Sequence, residues 1–201
     1  MAARSKARLG KGRRLGFTLI ELMIVVAIVG ILAVLGVVGY RKLILGAHTS
    51  EATHMVQSIR VAEDTYHAET QSYVSTSVDG LHGLYPLLND PPGNWKTPWT
   101  TPTTACPPAG GSPACFALLA IHSDGPLMYG YATIAGSAST TPVAIPLPTG
   151  TTLNAPAGAS PTDWFWVTAS GNAAHVAGAT SATWSYVVGN SFTNDVYVQD
   201  Q

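Results

Sequence analysis

Apolar residues crowd the first third of the chain in two different patterns. From Gly16 to Tyr40 they run almost without a break, G-F-T-L-I-E-L-M-I-V-V-A-I-V-G-I-L-A-V-L-G-V-V-G-Y, with Glu21 as the one charge. A run that is apolar on every side predicts a helix surrounded by lipid or by other protein, not by water. Phe17 to Tyr40 wound as a helix is roughly 36 Å long, against a hydrocarbon core of about 30 Å. From Arg41 the pattern thins to a stripe. Ala52, Met55, Ile59, Ala62 and Tyr66 recur at intervals of three and four, which is one helical face. Glu51, His54, Gln57, Arg60, Glu63, Asp64 and His67 lie between them as the expected polar face. The helix is therefore expected to run from Phe17 to about Thr70. Its membrane-type half covers residues 17–40, and its amphipathic half, 41–70, lays its stripe on a downstream domain.

Beyond Thr70 the helical period is lost. Tyr73 to Thr104 reads as a connecting region, with turn signals at Gly80, Gly83, Pro91, Pro92 and Gly93. Trp95 and Trp99 are expected to cover the core edge. Strand candidates follow. Cys115–Ile121 and Leu127–Ile134 flank a hairpin turn at Asp124-Gly125. Val143–Leu147 contains Pro146, which restricts it to an edge strand or a loop. Trp164–Thr168 is continuously apolar and β-branched, as in a central strand. Trp184–Val188 and Asp195–Gln199 alternate and close the chain. Residues 135–162, rich in Ser, Thr, Ala, Gly and Pro, are expected as a long surface excursion. The predicted fold class is α+β: a long N-terminal helix packed on an antiparallel sheet head over residues 71–201.

Proline and charge divide the chain along the same lines. All fourteen prolines fall between Pro86 and Pro161, so nothing in the first 85 residues forbids one long helix. Six basic residues and no acid precede the apolar run (Arg4, Lys6, Arg8, Lys11, Arg13 and Arg14). This flank keeps residues 1–16 in the cytoplasm and sends the rest outward. The remainder carries four Lys and Arg against the chain's eleven Asp and Glu, a net of −7. That balance argues against nucleic-acid binding through a general basic surface. Within the run, Glu21 costs a few kcal/mol in a bilayer, so it marks a function and requires a partner.

Cys106 and Cys115 enclose P-P-A-G-G-S-P-A. A zinc site would need two further nearby ligands, and the spacing excludes a C-x-x-C redox pair. A short disulfide loop fits an exported chain, with two unpaired buried thiols as the alternative. Other chemistry is sparse. His48, Glu51 and His54 lie within two helical turns but lack H-x-x-x-H spacing, and a solvated face accounts for them. His122-Ser123-Asp124 has triad residue types, yet neighbours in sequence cannot converge as a triad does. Asn190, Asn194 and Asp195 offer oxygen ligands without a recognisable calcium loop. No nucleophile elbow, Walker loop or dinucleotide fingerprint occurs. No catalysis, metal or cofactor is expected.

At Gly16-Phe17-Thr18-Leu19-Ile20-Glu21 the chain resembles the type IV pilin superfamily, which includes type IV pilins and the pseudopilins of type II secretion. The likeness is tight from Gly16 to about Ala33. It continues weakly through the helix and its Gln71-Ser72-Tyr73 exit to the closing S-Y-V-V-G-N-S-F-T-N-D-V-Y-V-Q. The resemblance implies a leader, residues 1–16, removed after Gly16 by a prepilin peptidase, and methylation of the new amino terminus on Phe17. It implies that Glu21 pairs with the amino terminus of a neighbouring subunit in a homo-oligomeric filament. It also implies an inner-membrane assembly platform, an external assembly ATPase, and a path from inner membrane to extracellular pilus. A pseudopilin would instead stay in a periplasmic filament, and a minor pilin would present a binding head. Many pilins carry a proline within the apolar half. Here Gly36-Val37-Val38-Gly39 occupies that neighbourhood, which raises the question of whether the helix opens there.

A conventional secretory signal fits less well. Its apolar core is shorter and contains no carboxylate. Five tryptophans (Trp95, Trp99, Trp164, Trp166 and Trp184) are accounted for by core packing, unless several prove exposed together.

Overall fold

The computed structural model describes residues 16–86, 95–108, 110–148, 150–172 and 184–199 of the 201-residue chain. Residues 1–15 of the expected 1–16 leader, and the turn expected at Pro91-Pro92-Gly93, lie outside the described residues. The chain divides into two compact units, Met1–Lys42 and Leu43–Gln201.

One helix, α1 (Leu19–Thr70), accounts for the whole proline-free stretch. It passes Gly30, Gly36 and Gly39 without interruption, so the Gly36-Val37-Val38-Gly39 neighbourhood is helical here. It stops where Gln71 turns into the left-handed region (φ 59), and Gln71 N donates to His67 O at 2.8 Å. That conformation closes a helix C-terminus, a place usually taken by glycine.

In the second unit, α1 buries Thr49, Ala52, Met55, Val56, Ile59 and Glu63. This stripe is rotated slightly from the expected one. Glu63, assigned above to the polar face, is fully buried, while Ala62 and Tyr66 are only partly covered. The stripe packs on a four-stranded antiparallel sheet, β1 (Gly130–Gly136), β4 (Trp164–Gly171), β5 (Ser185–Asn190) and β6 (Tyr197–Gln199), in the order β1-β4-β5-β6. A small hairpin, β2 (Ile145–Pro146) with β3 (Thr152–Leu153), forms separately.

β4 is buried along its whole length, as its continuous apolar run predicts for a central strand. Alternate residues serve different cores. Phe165, Val167 and Ala169 join Val56, Ile59 and Tyr131 beside α1. Trp164 and Trp166 join Ile134, Tyr186 and Val188 under Ile145 and Leu147 of the hairpin region. The Ser/Thr-rich excursion is therefore more than surface, because its apolar residues roof the second core. Gly189 on β5 lets α1 seat closely. A Cβ there would come within 2.9 Å of Arg60 Cδ and 3.0 Å of Val56 Cγ1. The free edge of β1 is also covered. Thr76 N and Ser77 N donate to Thr133 O, Tyr85 and Tyr131 exchange both backbone bonds, and Ala135 N donates to Ser75 Oγ.

The structure corrects the expected first hairpin. Cys115–Ile121 is not a strand. Pro113–Leu119 forms a 3-10 helix, with Ser112 capping Ala114 N. Pro113 lacks an N–H and has a helical φ, which favours the start of a helical turn over a strand. Leu127 pairs instead with Thr97. Cys106 and Cys115 are joined by a disulfide, with Cα atoms 4.4 Å apart. The tryptophans separate. Trp99 is buried beside Tyr85 and Phe116, while Trp95, expected to cover the core edge, is 81% exposed. Trp164, Trp166 and Trp184 are buried, so no exposed tryptophan patch forms among the described residues.

Candidate assembly site

The described part of the first unit runs from Gly16 to Lys42, with α1 from Leu19 onward, and every residue of it is exposed. Phe17 is 85% exposed, and Leu19, Ile31, Leu35 and Val38 are uncovered to similar degrees. This helix is long and apolar enough to cross a membrane. An uninterrupted apolar surface of this kind is not stable in water, so lipid or other helices must complete it. A Cβ at Gly16, Gly30, Gly36 or Gly39 would meet nothing within 4 Å. Gly30, Gly36 and Gly39 leave the helix surface open for close approach by another helix.

Glu21 lies in the first turn of α1 and closes a capping box with Thr18. Thr18 Oγ1 accepts from Glu21 N at 3.3 Å. Thr18 N and Thr18 Oγ1 donate to Glu21 Oε2 at 2.9 and 2.8 Å. The box satisfies backbone donors at the helix start, and its negative charge suits the positive end of the helix dipole. Thr18-Leu19-Ile20-Glu21 carries this capping-box signal, so Glu21 has a partner within its own chain besides the intermolecular one expected from the resemblance. Both bonds fall on Oε2, and Oε1 accepts none among the described residues. Gly16 and Phe17 precede the helix in non-helical conformation. Phe17 is adjacent to Thr18, so an amino terminus at Phe17 would lie close to the carboxylate in sequence.

The other sequence candidates are engaged elsewhere. Glu51 Oε1 accepts from Met128 N at 2.9 Å and Oε2 from Lys96 Nζ at 2.8 Å, tying α1 to the entry of β1. Asn190 Oδ1 accepts from Phe192 N and Thr193 N at 2.8 Å, which is turn chemistry. Arg60 donates to Thr193 O at 2.8 Å and Asn194 O at 3.2 Å, fastening the β5–β6 turn to α1. His122 and Asp124 pair at 3.1 Å on the surface. Among the described residues no group of three or more His, Cys, Asp or Glu gathers to hold a metal.

Comparison with known proteins converges on the same helix. The family described as "Prokaryotic N-terminal methylation motif" matches residues 11–37. Type II secretion system core protein G of Pseudomonas aeruginosa is 34% identical over 122 residues, covering 55% of this chain and 84% of that protein. Type IV major pilin protein PilE of Neisseria gonorrhoeae is 42% identical over 78 residues, covering 39% of this chain and 40% of PilE. Type IV major fimbrial protein FimA of Dichelobacter nodosus is 36% identical over 75 residues, covering 36% of this chain and 47% of FimA. The chain thus spans less than half the length of these two pilins. No solved structure matches. With a methylation-motif helix, an α+β head and a relative matched over most of its length, the chain belongs to the type IV pilin and pseudopilin family, as a structural filament subunit.

Proposed function

We propose that this chain is a type IV pilus subunit that is cleaved after Gly16, methylated on Phe17 and polymerised through the start of α1. The observation that carries the proposal is Glu21, an exposed carboxylate at the head of the apolar half of α1, with one oxygen engaged by Thr18 and the other without a partner among the described residues. In a filament core a lone carboxylate is costly, whereas one facing a neighbour's terminal amine is largely compensated. A subunit packed out of register leaves both charges unpaired, so the contact sets stagger as well as affinity.

In this reading residues 1–16 are a cleaved leader, 17–40 the assembly half of the helix, 41–70 its amphipathic half and 71–201 the displayed head. The subunit waits in the bacterial inner membrane. An assembly platform and its ATPase then extract it into an extracellular, homo-oligomeric pilus. The chain serves as a structural element and not as an enzyme. The test is Glu21→Val. Processed protein should accumulate in the membrane while sheared filaments disappear. Normal filaments from the processed variant would sink the proposal.

A second reading is favoured by one observation: the match to secretion core protein G covers more of this chain than the pilin matches above. As a pseudopilin the chain would form a periplasmic filament. Deleting it would then abolish enzyme secretion and leave surface pili intact.

A further inference from the structure

Glu63 has no role in the assembly site, yet it is fully buried where α1 meets the head. Its Oε2 accepts from Val74 N at 2.8 Å, and its Oε1 has no hydrogen-bond partner among the described residues. Val74 opens a short segment laced to β1. Thr133 Oγ1 donates to Val74 O at 2.7 Å, Thr133 N donates to Thr76 Oγ1 at 2.8 Å, and Thr76 N and Ser77 N donate to Thr133 O. Ser75 O accepts from Gly111 N at 2.7 Å, which joins the same segment to the disulfide loop. One carboxyl group therefore sits under the joint between helix, sheet edge and loop.

Among the described residues the groups around it offer no compensating cation. On α1, Asp64 adds like charge, Arg60 is committed to the carbonyls of Thr193 and Asn194, and His67 pairs with Asp163 at the entry of β4. From the following segment Tyr73 reaches Asp64, and from β1 the contribution is the Thr133 hydroxyl. Burial dominates. It pushes the Glu63 carboxyl up to about 8, although the Val74 amide favours the charged form; the Thr133 hydroxyl is spent on Val74 O.

We propose that Glu63 is a proton-operated clasp, holding residues 74–77 against β1 while it carries its proton and releasing them when it loses it. The proton leaves to solvent, and the carboxylate left behind is hydrated only if the segment lifts. Joint opening is thus coupled to deprotonation, whichever filament the chain belongs to.

The experiment follows amide exchange at Val74, Thr76 and Ser77 by NMR, using the full chain in detergent micelles and correcting for the intrinsic exchange rate at each pH. Between about pH 6 and about pH 9 the opening equilibrium in the wild type should rise by roughly one to two orders of magnitude, while Glu63→Gln stays flat. The same rise in Glu63→Gln overturns the clasp. If that variant does not fold, the carbon-13 shift of the Glu63 carboxyl in the wild type decides. Titration near 8 supports the clasp, and titration at the ordinary value of 4.5 overturns it.

Discussion

The two halves of α1 share one backbone conformation and differ in everything that surrounds it. From Leu19 to Lys42 no described side chain is covered, although nearly all are apolar. From Leu43 to Thr70 the apolar residues form a stripe, and the chain's own sheet covers it. All-round apolarity leaves no direction in which the segment can be satisfied by its own chain, and a stripe gives it one. The first half is a surface to be completed by lipid and then by other subunits. The second half is already complete.

Substitutions that act on one half alone sharpen this contrast. The largest effect is expected from Glu21→Val, which should reduce sheared filaments at least tenfold while leaving the melting temperature of the head unchanged. A drop in head stability would break the comparison. Next is Phe165→Ala, which opens a cavity under α1. It should cost about 3–5 kcal/mol in urea unfolding, whereas Leu32→Ala should cost the head nothing.

The pH dependence follows with its sign. The folded pKa of Glu63 lies near 8, above the ordinary 4.5. Its contribution to stability is therefore fully present below about 4.5 and is lost progressively as pH rises toward 8. The loss is on the order of 4 kcal/mol, and Glu63→Gln should abolish it in thermal melts taken across that range. Reducing Cys106–Cys115 should cost roughly 2–3 kcal/mol, read as a lower urea midpoint. Smallest is Lys96→Ala, which removes a half-exposed partner of Glu51 and should shift stability by less than about 1 kcal/mol.

Much of this architecture was legible from pattern. A proline-free apolar run followed by a stripe gave one helix ending at Thr70. The unbroken W-F-W-V-T gave the central strand, because burial on both faces removes alternation. What was missed has physical causes. Cys115–Ile121 looked strand-like by composition, but Pro113 and the tether to Cys106 turn it into a 3-10 helix. Residue type alone puts Glu63 on the polar face. Its position, four after Ile59 and three before Tyr66, already put it on the stripe. At the assembly site, Glu21 stood out because charge is rare in such a run. Its capping partner Thr18 did not, because a threonine there is ordinary until the helix start is known.

The covered edge of β1 bears on how copies of this chain can meet. A bare strand invites any neighbour to extend the sheet, and crowded copies of one protein are the likeliest to do so. Here Tyr131, Thr133 and Ala135 already spend their outward backbone groups on residues 75–77 and Tyr85. At the opposite end β6 is only three residues long. Heads crowded along a filament therefore find little template for amyloid-like growth, and polymerisation is left to the helices.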